Sequence, residues 1–485
     1  MRNISKEIFL STLLCETMGW RLRNEEFSGP TPLSELTRGQ RFRREQGIDI
    51  GIRARELFQD GVLIDEPTTE LAATKTESVL NDRNVPAIFE AAFLLNGYAT
   101  RSDVLRRRAD QWDLFEVKSG VNDHKDYVDD LAYTAMVLSK CGIKIASAKL
   151  LLISREFRLG MDNPRLFNEI DHSDDILARL SEFDAKWETV DEATKNPIMP
   201  EPHPVWACRN CSFLKECVGN GIENPIFDIP RLSEKKFNDL VDSDILSIEA
   251  IPLSFALTEN QDIVRAAVQT GNPVINDNLS SELHDLSWPV HYLDFETAVT
   301  AIPLYEEIAP YTQVPTQYSV HQSDRVGNIS NHTEYLADPT KDSRFELAVN
   351  LINDLSGDGS IIVYSHFEKT IIIDLAKLYP QLGEQLSDLI ERLVDMQTIM
   401  SKNYYHPAFK GSMSLKDILP VLVPELSYEN LTIPDGGTAL ATFVYLATGR
   451  YQGEEADAEK QNLLDYCKQD TLALVKIHEQ LSQLG

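Results

Sequence analysis

The sequence predicts an α/β protein with two domains, each built from a sheet and flanking helices. The chain has 485 residues, about three times the ~150 residues of a typical domain. Strand-like apolar runs alternate with runs of helical spacing in two stretches, and a polar region with several prolines separates them. That region contains one helix-like segment, which indicates that the linker is helical rather than a flexible tether. The expected organisation is a first domain at 1–225, a helical linker at 226–285 and a second domain at 286–485.

Composition and charge limit the classes of function. The chain is 42% hydrophobic and 25% charged, as is usual for folded globular proteins. It has 46 basic and 76 acidic residues, a net charge of −30, so a polyanion would have to bind at a local basic patch. No run approaches the ~20 apolar residues of a membrane span, and the apolar run at 8–14 lacks a small-residue cleavage site. We therefore expect a cytoplasmic protein without a membrane partner.

The first domain contains a set of charged residues on two predicted strands. Residue spacing predicts strands at 98–105 and 114–118, preceded by a helix at 85–95. Successive side chains alternate between the faces of a strand, so Glu116 and Lys118 share one face. The preceding antiparallel strand can place Asp103 beside them. The sequence therefore predicts two carboxylates and an ammonium group in one pocket.

This set suits phosphodiester hydrolysis, because carboxylates bind Mg²⁺ or Mn²⁺ and an ammonium group orients water or stabilises negative charge. For an isolated E-x-K triplet the alternative is a surface ion pair. The longer pattern E…D…E-x-K, in IFEAAFLLNGYATRSDVLRRRADQWDLFEVKSG, resembles the RecB-like branch of the PD-(D/E)XK nuclease superfamily. The resemblance implies a restriction-endonuclease-like mixed sheet. It assigns Glu90, Asp103, Glu116 and Lys118 to a catalytic site, with Asp103 and Glu116 as metal ligands and Glu90 contributed by the preceding helix.

Two features around this site are open to more than one interpretation. RecB-like nucleases carry a Q-x-x-x-Y helix next, and here DDLAYTAMVLSK has Thr134 where the Gln is expected. One contact that positions the substrate is therefore in question. Arginines flank Asp103 and either contact phosphates or decorate a solvated hairpin; they are Arg101, Arg106, Arg107 and Arg108.

Three of the six cysteines form the motif C-x2-C-x5-C at Cys208, Cys211 and Cys217. Such spacing favours a soft metal site over a disulfide framework. It is similar to the iron–sulfur nucleases of the RecB-like branch, in which one early cysteine and a late C-x2-C-x5-C bind a [4Fe–4S] cluster. The resemblance implies that Cys15 is the fourth ligand. A structural zinc site with His203 as fourth ligand is the alternative.

The second domain carries acids at three separated places. Asp294 and Glu296 are two positions apart on the predicted strand VHYLDFET and share its face. Glu368 lies near the start of a predicted helix that follows another apolar strand. Tyr466 and Asp470 are four residues apart on a helix near the C-terminus and face the same side.

This layout resembles the DEDD exonucleases of the ribonuclease H-like fold, whose first motif is D-x-E on a strand and whose last is Y-x-x-x-D on a helix. The resemblance implies two divalent ions about 4 Å apart, with Tyr466 positioning the nucleophilic water. The ligands that it implies are Asp294, Glu296, Glu368 and Asp470. The second motif departs from the usual Asn-x-x-x-Asp, so Asp374 and Asp395 are alternatives to Glu368.

The segment at 404–441 resembles a domain of unknown function that occurs in bacterial proteins behind RecB-like nucleases. His406, Lys410 and Lys416 are candidates for contacts with a nucleic-acid strand there, and a polar loop packed on the sheet is the alternative.

Together these resemblances imply a metal-dependent nuclease with an iron–sulfur RecB-like site and a DEDD-type 3′–5′ exonuclease-like site. The expected cofactors are Mg²⁺ or Mn²⁺ and a [4Fe–4S] cluster. The expected partner is nucleic acid, with DNA favoured over RNA, and protein partners would belong to a repair or defence complex. DNA repair, CRISPR-related processing and phage defence are the implied roles. The alternative is a nucleic-acid-binding or scaffold protein in which one or both sites are inactive.

Overall fold

The computed structural model describes residues 1–25 and 35–484. They form two compact units with mixed sheets and flanking helices, so the predicted α/β class is confirmed. Residues 226–285 fall in the second unit. The first unit comprises Met1–Leu36, Gln40–Phe213 and Thr300–Thr312, and the second comprises Thr37–Gly39, Leu214–Val299 and Gln313–Gly485.

The first unit is organised around a six-stranded sheet in the order β1-β2-β3-β4-β5-β6. Its strands are β1 (Val62–Leu63), β2 (Ala87–Leu95), β3 (Tyr98–Arg108), β4 (Gln111–Val117), β5 (Ile145–Ile153) and β6 (Phe167–Asp171). Its helices are α1 (Lys6–Leu14), α2 (Glu16–Asn24), α3 (Arg38–Arg55, whose first two residues fall in the second unit), α4 (Thr69–Leu80), α5 (Lys125–Lys140) and α6 (Ser173–Lys195). The pairs β1–β2 and β4–β5 are parallel and the others antiparallel.

The helix predicted at 85–95 is wrong, because these residues form strand β2 in the interior of the sheet. The segment AIFEAAFLL is apolar at almost every position, and an interior strand buried on both faces has no two-residue alternation to distinguish it from a buried helix. Strand β3 does alternate, with Ser102 and Val104 buried and Asp103 half-buried between them. This pattern directs Asp103 to the less buried face.

The second unit contains a five-stranded sheet in the order β10-β9-β8-β11-β12 and a small pair, β7–β13. Its strands are β7 (Val274–Ile275), β8 (Val290–Ala298), β9 (Val314–Arg325), β10 (Asn328–Leu336), β11 (Ile361–Val363), β12 (Leu393–Asp395) and β13 (Tyr404–Tyr405). Its helices are α7 (Glu234–Val241), α8 (Glu259–Thr270), α9 (Asn278–His284), α10 (Arg344–Asp354), α11 (Phe367–Leu378), α12 (Gly383–Glu391), α13 (Met396–Asn403), α14 (Leu415–Leu422), α15 (Gly436–Ala447) and α16 (Gly453–Ser482). Strands β10, β9 and β8 are antiparallel, whereas β8, β11 and β12 are parallel.

Helix α16 determines which residues meet at the centre of this unit. It has 30 residues and packs against β8 and β9. Its buried side chains recur at helical spacing, for example Leu463, Tyr466, Asp470 and Leu474. Because β8 is the middle strand of the sheet, this packing brings the acids of the helix to those of the strand. Every helix of the described ranges is too short or too polar to cross a membrane.

Candidate metal centres

The first candidate centre lies where β3 and β4 run side by side. Val104 of β3 pairs with Phe115 of β4. Their neighbours in sequence are the two acids, Asp103 and Glu116. The Asp103 carboxylate accepts a hydrogen bond from the backbone N–H of Val117 at 2.6 Å. The Lys118 Nζ lies 3.0 Å from Glu116 Oε1. The structure thus brings Asp103, Glu116 and Lys118 into one pocket.

Electrostatics at this centre favour a bound cation. Burial raises the pKa of Asp103 well above its usual value, and the negative charges of Glu116 and Glu90 raise it further. The side chain of Glu116 is only 4% exposed, and its Oε2 is buried without a hydrogen-bond partner. An unpaired buried carboxylate oxygen is costly unless a further positive group binds it. The donor set therefore fits a hard divalent cation on Asp103 and Glu116.

Glu90 reaches the same neighbourhood from a strand rather than from the predicted helix. It lies on β2 with φ of 55°, a left-handed conformation that is unusual for glutamate. Burial raises the pKa of Glu90, whereas Arg55 and Arg101 lower it. Its negative charge also acts on Asp103. Glu90 thus belongs to the surroundings of the centre.

Two further residues of this centre have no motif in the sequence. Lys6, the first residue of α1, lies 2.8 Å from Glu116 Oε1 and 3.3 Å from Asp130 Oδ2. Asp130, on α5, also pairs with Lys118. Burial alone would lower the pKa of Lys118, but Glu116 and Asp130 outweigh it and raise that pKa. The centre thus contains a network of two lysines and Asp130 around the Asp103–Glu116 pair.

Thr134 does not take the place of the missing glutamine. It is fully buried and shares a 3.1 Å hydrogen bond with Thr100. Asp130, one helical turn earlier on α5, is the residue of that helix that reaches the centre. The i, i+4 spacing of a helix face is the one signal that could have indicated it.

The arginines near Asp103 have structural partners. Arg106 donates to Asp113 at 2.7 Å, and Arg108 lies 3.7 Å from the same carboxylate. Arg107 donates to the backbone carbonyls of three residues before β2 and lies 4.2 Å above the Trp112 ring. Arg101 donates to the Glu66 carbonyl at 3.1 Å. These contacts favour a structural role for the arginines.

The second candidate centre lies between β8 and α16. One carboxylate oxygen from each of Asp294, Glu296 and Asp470 lies within 4.8 Å of the other two. Within the described ranges, no other three residues of the metal-ligating types meet this closely. The strand supplies two acids from one face, and the helix supplies the third.

Every carboxyl group of this centre has a raised pKa. Burial is the largest cause for all four, and neighbouring carboxylates add to it for Asp294, Glu296 and Glu368. The pKa of Glu296 rises to about 8 and that of Asp470 to about 6, while that of Asp294 rises well above its usual value. Lys416 lowers the values of Glu296 and Asp470. Such a cluster favours divalent cations, which supply the missing positive charge.

Glu368 is the fourth acid of this neighbourhood. It is 3% exposed in the first turn of α11, and its Oε2 is buried without a hydrogen-bond partner. Burial raises its pKa to about 8, and Asp395 and Asp470 contribute. Of the two alternatives, Asp374 is exposed and pairs with Lys377. Asp395 caps α13 through hydrogen bonds from the N–H and hydroxyl of Thr398.

Aromatic and small residues complete the second centre. The hydroxyls of Tyr428 and Tyr466 donate to Asp470 and lower its pKa against the effect of burial. The Tyr428 contact with Asp470 Oδ1 is 2.5 Å long. The Lys416 Nζ lies 5.2 Å from the centroid of the Tyr466 ring and 5.4 Å from that of Tyr428. A Cβ on Gly436 would lie 3.7 Å from Glu296 Oε2, so the backbone approaches the centre closely there. Sequence reasoning missed Tyr428 and Gly436.

The remaining candidates of segment 404–441 have local partners. His406 Nδ1 accepts from the Ala408 N–H at 3.1 Å, and Lys410 donates to Asn224 at 2.7 Å. Cys467 is buried beside Asp294 and donates to its Oδ2 at 3.5 Å. Lys416 donates to the Pro434 carbonyl at 3.0 Å, and it is the one of the three strand-contact candidates whose charge acts on Glu296 and Asp470.

The cysteine motif is divided by the boundary between the units. Cys15, Cys208 and Cys211 belong to the first unit and Cys217 to the second. Cys15 and His203 line one cavity of about 460 Å³, and the Cys208 Sγ accepts the Val205 N–H at 3.4 Å. In the described ranges no three thiols lie within 4.8 Å of one another. A zinc ion with ~2.3 Å bonds to sulfur needs its ligands closer than that.

Comparison with known proteins finds relatives without an assigned function. The family model of a domain of unknown function (DUF2779) matches residues 291–414, which is about a quarter of the chain and includes Asp294, Glu296 and Glu368. The chain is also similar to an uncharacterized protein of Mycoplasma pneumoniae, the MG366 homolog, with 26% identity over 209 residues. That match covers 38% of this chain and 31% of the relative. The chain thus spans about a third of the curated relative that it matches.

Proposed function

We propose that the protein is a metal-dependent nuclease that hydrolyses phosphodiester bonds at two acidic centres. The observation that carries the proposal is the carboxylate cluster of Asp294, Glu296 and Asp470, whose oxygens lie within 4.8 Å of one another. Glu368 adds a fourth charge from α11.

Four carboxylates close together are unfavourable in their charged forms. Burial and mutual repulsion disfavour their charged forms, as the raised pKa values indicate. Divalent cations bound there would remove that cost, activate a water molecule and stabilise the leaving oxygen. The chain's own residues hold the cations and orient the reactants. Tyr466 and Tyr428 fix Asp470, and the exposed Lys416, whose Nζ also donates to the Pro434 carbonyl at 3.0 Å, provides a positive charge for an incoming phosphate.

The positions of the residues on the fold support the two resemblances. D-x-E lies on a strand and Y-x-x-x-D on a helix. E-x-K lies at the end of β4, beside the acid of the neighbouring antiparallel strand. The first centre supplies Lys118 in addition to metal ligands, and its buried Glu116 Oε2 has no hydrogen-bond partner. We infer nucleic acid as the substrate, with DNA favoured over RNA, and cellular roles in repair, CRISPR-related processing or phage defence.

The [4Fe–4S] cluster is a part of the proposal that depends on sequence spacing. Cys208 is buried and already accepts a backbone N–H, as metal-bound thiolates do, and Cys15 lines a cavity. Protein purified without oxygen should contain iron and acid-labile sulfide, and Cys208→Ser should lose both. Stoichiometric zinc in place of iron would establish the alternative metal.

Cleavage assays with paired variants test the nuclease proposal. The full chain would be given end-labelled single-stranded and duplex DNA and RNA with Mg²⁺ or Mn²⁺. Lys118→Ala and Asp294→Asn should each remove a distinct set of products. Asp374→Asn, an exposed acid of the same unit as Asp294, is the matched control and should cleave normally. Cleavage unchanged in both site variants, or absent from every form, would support the binding or scaffold alternative.

A further inference from the structure

The start of the chain is fixed to the first sheet immediately before the first centre. Ile4 is fully buried and bridges to β3, with its N–H donating to Gly97 at 2.7 Å and its carbonyl accepting from Ala99 at 2.9 Å. The Tyr133 hydroxyl donates to the same carbonyl at 2.6 Å. Ser5 then caps α1 through the Ile8 N–H. These contacts determine the position of Lys6.

Lys6 and Lys118 share one carboxylate oxygen. Their Nζ atoms lie 2.8 and 3.0 Å from Glu116 Oε1, and both also pair with Asp130. Two ammonium groups so close together repel each other. Burial and the charge of Lys118 lower the pKa of Lys6, but Glu116 and Asp130 outweigh them, so that it is raised overall. The two carboxylates of Glu116 and Asp130 together stabilise the two lysines, and Glu116 by itself is paired with two ammonium groups.

The two lysines differ in exposure. The side chain of Lys6 is 33% exposed, compared with 19% for Lys118 and 4% for Glu116. Lys6 therefore approaches Glu116 from the solvent side, from which a nucleic-acid strand would arrive. A lysine has a flexible stem and three rotatable donors, which allows it to exchange one anion for another.

We propose that Lys6 is a second cationic residue of the first centre, which neutralises Glu116 in the free protein and binds a substrate phosphate once a divalent cation occupies the carboxylates. This inference rests on the proposed function of the same centre. A cation on Glu116 replaces the ammonium group as its counter-charge, so Lys6 becomes available to a phosphate oxygen. Lys6 would then compete with the metal and assist the substrate.

This dual role predicts changes of opposite sign in one variant. Lys6→Gln removes a competitor of the metal, so Mn²⁺ should bind more tightly, by about threefold or more. It also removes a phosphate contact, so an oligonucleotide should bind about tenfold more weakly. A mere loss of structure would weaken both.

The experiment uses the full chain in an Asp294→Asn background, so that the first centre is observed alone. Calorimetry measures the Mn²⁺ affinity, fluorescence anisotropy with Ca²⁺ measures the affinity for a labelled single-stranded oligonucleotide, and cleavage is measured separately. Lys6→Arg should retain the oligonucleotide affinity. Lys125→Gln is the matched control, because Lys125 is also the first residue of a helix but is exposed.

The outcomes separate the inference from the proposed function. Unchanged Mn²⁺ and oligonucleotide affinities in Lys6→Gln, or a joint weakening of both, would overturn the role of Lys6. Cleavage unchanged by Glu116→Gln would instead reject the first centre as a nuclease, while the two affinities would still decide whether Lys6 competes with a cation.

Discussion

The two candidate centres solve the problem of clustered negative charge in different ways. In the first, Lys6 and Lys118 lie directly on Glu116 and Asp130. In the second, oxygens of three acids lie within 4.8 Å of one another, Glu368 is near them, and Lys416 lies over the tyrosine rings. The first centre is thus partly balanced by its own lysines, whereas the second depends more on cations from solution. Metal binding should therefore matter most for the stability of the second unit.

The largest expected effect is metal-dependent stabilisation of the second unit. At a Mn²⁺ concentration 100 times the Kd of the second centre, binding there adds about 2.7 kcal/mol to the free energy of unfolding of that unit. Chemical denaturation with and without EDTA measures the gain. Asp294→Asn should abolish most of this stabilisation by Mn²⁺, whereas Glu116→Gln should reduce it only a little. An equal loss in the two variants would contradict the comparison.

Removing one acid from each centre should change the metal-free stability in opposite directions. Glu116→Gln leaves two ammonium groups without their shared partner and should cost about 2 kcal/mol, a value reduced for the partial exposure of the lysines. Asp294→Asn removes a charge that burial and three acids disfavour, so it should stabilise the metal-free protein. Denaturation in EDTA measures both, with Asp374→Asn as the control. Destabilisation by both changes would show that the second centre is balanced without metal.

Two buried histidines of the second unit should disfavour its folding at acid pH. Burial lowers the pKa of His478 and of His321 to about 4, so both are neutral in the folded protein at neutral pH. In the unfolded chain each takes up a proton near pH 6.5. The contribution of these histidines to stability is therefore fully present above pH 6.5 and is lost progressively as the pH falls towards 4.

Trp288 provides a local probe for this loss. Its ring stacks on His478 with centroids 6.1 Å apart, and the other four tryptophans of the chain lie in the first unit. The difference in fluorescence between the unmodified protein and Trp288→Phe therefore reports the unfolding of the second unit. As the pH falls from 6.5 to 4.5, we expect the unfolding midpoint in urea to change less favourably for the unmodified protein than for His478→Gln. The acids of the second centre, whose pKa values are raised in the folded protein, contribute in the opposite direction and are common to both proteins. A difference between the two midpoints that is independent of pH would contradict the neutral state of His478.

Local periodicity was enough to predict the parts of both centres that are close in sequence. Glu116 and Lys118 are two residues apart on a strand, and Tyr466 and Asp470 are four apart on a helix. Period two and period 3.6 determine such pairs without knowledge of the fold. The same reasoning failed at 85–95, because a fully buried strand has no period to detect. Glu90 was therefore assigned to the wrong kind of element.

The partners that sequence reasoning missed are distant in sequence. Lys6 and Glu116 are 110 residues apart, and Tyr428 and Asp470 are 42 apart. Lys6 reaches Glu116 because the preceding Ile4 bridges to β3, and that bridge is a tertiary contact without a local signature. Tyr428 lies in a loop after α14. Such contacts depend on how elements pack, which periodicity does not determine.

The smallest expected effect concerns one of these missed partners. Tyr428→Phe removes a hydroxyl that donates to Asp470 Oδ1 while leaving the ring in place. Because hydrogen bonds from the two tyrosines favour the charged form of Asp470, the variant should bind Mn²⁺ more weakly, by about 0.5–1 kcal/mol or a factor of roughly 2–5. Calorimetric Mn²⁺ titration in a Lys118→Ala background measures the change. Tyr404→Phe, a buried tyrosine of β13 in the same unit, is the control. If Tyr428→Phe bound Mn²⁺ as tightly as the control, the tyrosine would not contribute to the charge balance that distinguishes the two centres.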